Sequence, residues 1–118
     1  MRILVLDDQW QDIAATFNAK AAKLGHLLAY VATIQEAEKV LGECKFDLLL
    51  LDGNLGRGPT GPEVIYNWKC RELAFPPIVM ISSDTKLNDW GIKEGAIGGL
   101  TKSELAINFG ALQKFRED

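Results

Sequence analysis

Short apolar runs alternate with amphipathic stretches along the chain. Ile3-Leu4-Val5-Leu6 stops at two acids, Asp7 and Asp8. Leu27 to Ala32, Leu48 to Leu51, Ile78 to Ile81 and the weaker Ala96 to Leu100 are the later runs. Runs that are apolar at successive positions, rather than at every second one, suit strands buried on both faces. Between them the period becomes helical. Ile13, Phe17, Ala21 and Leu24 mark one face of a first helix, stopped by Gly25. Ile34, Ala37 and Leu41 mark a second, stopped by Gly42. Pro62 fits the first turn of a helix carrying Val64, Ile65 and Trp68. Thr85 to Glu94 predicts a poorer helix, because an interior Gly91 costs ~1 kcal/mol relative to Ala. Leu105, Phe109 and Leu112 predict one last helical face, capped by Thr101 or Ser103.

A β-α unit repeated five times predicts an α/β fold: a doubly wound parallel sheet with helices on both faces and right-handed crossovers. Five units are too few for a closed barrel. The flavodoxin-like strand order 2-1-3-4-5 is expected, with a ligand crevice at the carboxyl ends of strands 1 and 3, where the winding reverses.

Composition sharpens this. The 118 residues are 47% hydrophobic and 25% charged, which excludes a disordered tail and suits one domain over 1–118, with no effector domain in the chain. The net charge of −3 argues against nucleic acid as partner. No apolar run is long enough to span a bilayer, and the N-terminus turns acidic too early for a signal peptide. Cys44 and Cys70 stand far apart and read as reduced thiols in a cytoplasm.

The chemistry stands at the strand ends. The first run ends at Asp7-Asp8, the third at Asp52, the fourth at Ser82-Ser83 and the fifth near Lys102. The topology brings three carboxylates to one rim, where they repel unless a cation intervenes. Mg²⁺ takes such an all-oxygen donor set. A carboxylate there can act as nucleophile toward a phosphoryl group. Lys102 can offer an ammonium, Ser82 a hydroxyl, and Asn54 a backbone carbonyl to the metal. Strand length favours Ser82 over Ser83 for the hydroxyl role.

In these features the chain resembles the receiver domains of two-component response regulators, of the single-domain chemotaxis-regulator type. The matching residues are Asp7-Asp8, Asp52 after its apolar strand, Ser82 after Pro77-Ile78-Val79-Met80-Ile81, and Lys102 after Gly95-Ala96 and Leu100-Thr101. The resemblance implies Mg²⁺-dependent transfer of a phosphoryl group to Asp52 from a phosphohistidine on a sensor kinase or phosphotransfer protein. Slow self-hydrolysis follows, tuned at Asn54 and Asp84. It also implies a downstream partner at the fourth helix and fifth strand, and a monomer or weak dimer. The chain departs from the family pattern in four places, one of them a Ser82–Lys102 interval somewhat shorter than usual, which bears on the length of the fourth helix. Gly99 stands where such domains carry an aromatic that swings inward. Ser103 replaces the usual proline after Lys102, so a trans bond is expected. The loop Gly53 to Gly61 is rich in glycine. The alternatives are a degenerate receiver used as a binding module, favoured by Gly99, and a small Mg²⁺-dependent phosphohydrolase, disfavoured by Asn54 in place of a second Asp.

Other residues read more plainly. Trp10 packs at a helix start, Trp68 belongs to the core, and Trp90 is exposed on the fourth helix. His26 sits at a turn without a second metal ligand. Arg57 is a solvated loop residue.

Overall fold

Five parallel strands, β1 (Arg2–Leu6), β2 (Leu27–Val31), β3 (Leu48–Leu51), β4 (Ile78–Met80) and β5 (Gly98–Gly99), form one sheet in the order β2-β1-β3-β4-β5. The structure, a computed structural model, describes residues 1–115; the last three residues of the domain expected over 1–118 lie outside them. Helices α1 (Ala14–Lys23), α2 (Ile34–Glu43), α3 (Gly61–Cys70), α4 (Thr85–Glu94) and α5 (Lys102–Ile107) connect and flank the strands. The α/β class and strand order are those expected.

β1 to β4 each serve two cores because successive side chains point to opposite faces. Ile3, Val5, Leu48, Leu50 and Val79 pack with Phe17 and Ala21 of α1 and with Leu105 of α5. Leu4, Leu6, Leu49, Leu51 and Met80 pack with Ala37 of α2 and with Val64, Ile65 and Trp68 of α3. Ile3 to Leu6 are 0% exposed, as a strand covered on both faces requires. Each such side chain contributes about 1.5–3 kcal/mol by leaving water.

Side-chain caps open α2 to α5, while α1 starts without one. Thr33 accepts from the Glu36 amide, and Thr60 and Thr101 each form a reciprocal capping box, with Glu63 and Glu104. Thr101, not Ser103, therefore opens α5. The Asp84 side chain accepts from the Lys86 amide at the start of α4.

Two expectations are corrected. The last helical face is not one helix: α5 ends at Ile107, Asn108 turns extended (φ −142°, ψ 90°), and a 3₁₀ stretch, Phe109–Phe115, follows. Asn108 and Gly110 are poor helix formers, yet Leu105, Phe109 and Leu112 still reach the core. Leu24 is 45% exposed, so the apolar face of α1 ends at Ala21. Among the described residues no peptide bond is cis, and no helix is long and apolar enough to cross a membrane.

Candidate functional site

The register of the central strands sets the rim. Leu6 pairs with Leu51 and Leu51 with Met80, so the next residues, Asp7, Asp52 and Ile81, leave the sheet side by side. The backbone is held there: the Asp7 amide donates to the Val31 carbonyl at 3.1 Å, and the Asp52 amide to the Leu6 carbonyl at 3.0 Å. Asp7 and Asp52 are buried and Asp8 is half-buried. One carboxylate oxygen from each of Asp7, Asp8 and Asp52 lies within 4.8 Å of the others. Lys102 Nζ bridges two of them, at 2.8 Å from Asp7 Oδ2 and 3.1 Å from Asp52 Oδ2.

Burial pushes the Asp52 carboxyl above its ordinary range; the Lys102 charge works against this and the Asp7 charge adds to it. Burial acts to lower Lys102, but its bond to Asp7 and the Asp52 charge outweigh that and hold the ammonium above its usual range. Three carboxylates and one ammonium leave a formal charge of −2 at a largely buried rim. Oxygen donors only, closely spaced and with surplus negative charge, fit a hard divalent cation such as Mg²⁺.

The remaining residues surround an open cleft of about 300 Å³ that Asp8, Asp52, Asn54, Ser82 and Lys102 line. Ser82 is buried, with its Oγ accepting from the Asp84 amide at 3.0 Å; Ser83 is exposed. The Asn54 amide points to Asp52 Oδ1 at 3.3 Å, and Asn54 Oδ1 accepts from the Gly56 amide at 3.1 Å. Gly56 adopts φ +76°, and a Cβ there would stand 2.9 Å from Asp8 Oδ2. The glycine-rich loop thus folds tightly over Asp8, which a bulkier residue would prevent. A larger hollow of about 410 Å³ lies elsewhere, but its one acid, Asp47, already accepts from the Arg2 amide.

The other singled-out residues fall outside the cluster. Trp10 stacks on Tyr30 with ring centroids 5.3 Å apart, Trp68 is buried, and Trp90 is 41% exposed. His26 is buried at the turn between α1 and β2, its Nδ1 facing the Met1 ammonium at 2.9 Å. Arg57, Cys44 and Cys70 are exposed, the cysteines as free thiols.

One residue at this rim was not anticipated. Asn88, buried on the inner face of α4, accepts from the Ser82 amide and donates to the Ser82 carbonyl. Its signal in the sequence was a polar residue one helical turn before Gly91, on the face the helix turns inward.

No protein-family model and no curated protein matches the chain. Solved structures do. The receiver domain of Francisella response regulator 1452 superposes with a TM-score of 0.72 at 22% identity, covering 96% of each chain. The signal receiver domain of a response regulator from Bermanella marisrubri gives 0.76 at 23% identity, covering 95% of this chain and 97% of that one. The chain has the receiver-domain fold. A third structure with this fold is a Burkholderia pseudomallei response regulator solved with a phosphorylated aspartic acid and a calcium ion. It gives 0.69 at 22% identity over 96% of this chain and 69% of that one. In the receiver fold seen here, the acidic cluster occupies the carboxyl rim where β1 and β3 adjoin, the crevice that a doubly wound sheet offers to ligands.

Proposed function

We propose that this chain is a signalling receiver domain that takes a phosphoryl group onto Asp52. The observation that carries the reading is the convergence of Asp7, Asp8 and Asp52 with the Lys102 ammonium between two of them. The donor is a phosphohistidine on a sensor kinase or phosphotransfer protein, met in the cytoplasm. An Asp52 oxygen attacks phosphorus, a P–O bond forms, and the N–P electron pair returns to the imidazole of the partner.

Asp7, Asp8 and Asp52 would hold the cation, together with the Asn54 carbonyl. When bound, Mg²⁺ offsets the charge of the carboxylates and of the phosphoryl oxygens. Lys102 keeps a positive charge facing the acceptor, and the Ser82 hydroxyl, at the edge of the same cleft, supplies a donor to a second phosphoryl oxygen. The acyl phosphate then hydrolyses slowly, so the chain is an acceptor rather than a turnover enzyme. Trp90, Ile92 and Ile97, each more than 40% exposed, give the α4–β5 side an apolar surface for a downstream partner.

The test is incubation with acetyl phosphate, with and without Mg²⁺, read by intact mass. Wild type gains one phosphoryl group only with the metal, and Asp52→Asn gains none. Turnover of unrelated phosphomonoesters would favour a phosphohydrolase, and no gain with Mg²⁺ would favour a binding module that is never phosphorylated.

A further inference from the structure

The side chain of Asn88 is 5% exposed in its residue and fully engaged. Its Oδ1 accepts from the Ser82 amide at 3.0 Å. Its Nδ2 donates to the Ser82 carbonyl at 2.9 Å and, more weakly, to the Leu100 carbonyl at 3.4 Å. The amide thus pairs with both backbone groups of Ser82 as a neighbouring strand would. It does so just beyond the point where β4 and β5 stop pairing, at Met80 and Gly99. The opposite amide orientation would set donor against donor, so the network fixes which atom is which.

Gly99 belongs to the same arrangement. A Cβ there would stand 2.9 Å from Asn88 Cβ, so any side chain at position 99 meets Asn88. The space beside the end of β5 is filled from α4 by an amide, with no room for a ring from the strand.

We propose that Asn88 is the positioning residue that couples the phosphorylation state of Asp52 to α4 and the end of β5, through the backbone of Ser82. The proposal rests on the phosphoacceptor reading. A phosphoryl group on Asp52 draws the Ser82 hydroxyl toward it, away from the Asp84 amide it now accepts from at 3.0 Å. The Ser82 backbone moves with it, the Asn88 pairing opens, and α4 loosens at its first two turns. The elements that respond are the ones that carry Trp90 and Ile97.

The test is hydrogen exchange by mass spectrometry on the full chain, with and without beryllofluoride plus Mg²⁺. Acetyl phosphate labelling of the same samples is followed by intact mass. In wild type, beryllofluoride raises amide exchange severalfold across Thr85 to Gly91 and at Leu100. In Asn88→Asp, which keeps the acceptor but loses both donors, exchange there is already raised and beryllofluoride adds little, while acetyl phosphate still labels the protein. Asn88→Ser, smaller and uncharged, gives the same pattern should the aspartate variant not fold. A merely structural Asn88 would lower stability but leave the beryllofluoride response in place; that response, or an unresponsive α4 in labelled wild type, overturns the proposal. Absence of label from wild type overturns the phosphoacceptor reading and this proposal with it.

Discussion

Glu38 joins two helices and a buried ring through one carboxylate. It accepts from the Trp68 indole at 3.1 Å and pairs with Arg71 at 3.0 Å. The hydrogen bond from Arg71 holds its carboxyl below the usual range; burial opposes this, and the Trp68 bond and the Arg71 charge add to the lowering. A lowered carboxyl stabilises the fold above the pKa of the unfolded chain and loses that contribution as pH falls through the folded value. Arg71 is half exposed, so solvent screens the pair and the effect is modest. Glu38→Gln is expected to lose about 1 kcal/mol near neutral pH. The gap to wild type closes in acid, below about pH 4 where glutamate protonates. Urea midpoints at neutral and acidic pH check this; a gap that is constant with pH would contradict it.

α4 is where local propensity and packing disagree. Gly91 lowers the helix propensity of Thr85–Glu94, yet the helix forms over those residues. A Cβ at Gly91 would lie 2.5 Å from both Cγ and Sδ of Met80, a fully buried side chain. The glycine is there so that α4 can approach β4. Gly91→Ala is therefore expected to destabilise by roughly 1–3 kcal/mol from overpacking, although an alanine gains ~1 kcal/mol of helix propensity. Thermal or urea unfolding decides it, and a more stable variant would mean that α4 does not sit this close. The same contrast explains which elements could be read in advance. β1 and β3 announce themselves because both of their faces are buried, and α2 because Ile34, Ala37 and Leu41 recur at helical spacing ahead of Gly42. β5 is two glycines whose pairing depends on neighbours, and the break at Asn108 depends on how Phe109 reaches the core. The local sequence holds only a weak fifth run and two poor helix formers, Asn108 and Gly110; where the strand pairs and where the helix breaks are settled by tertiary packing.

The acidic cluster was legible because strand order converts positions distant in the chain into neighbours. Asp7 and Asp52 are separated by 45 positions in sequence, yet both leave the sheet at the same rungs of β1 and β3. Lys102, 50 residues beyond Asp52, reaches both acids because Thr101 caps α5 at the rim. Asn88 was not legible in the same way: its role exists only once α4 lies against the β4–β5 edge, which Gly91 and Gly99 permit through tertiary contact. The most direct measurement treats the protein with acetyl phosphate and Mg²⁺, reduces it with borohydride, and maps the modified residue by peptide mass spectrometry. An acyl phosphate is reduced to an alcohol, so the phosphoacceptor reading predicts homoserine at position 52 and nowhere else. Reduction at Asp7, Asp8 or another carboxylate, or at none, would contradict it.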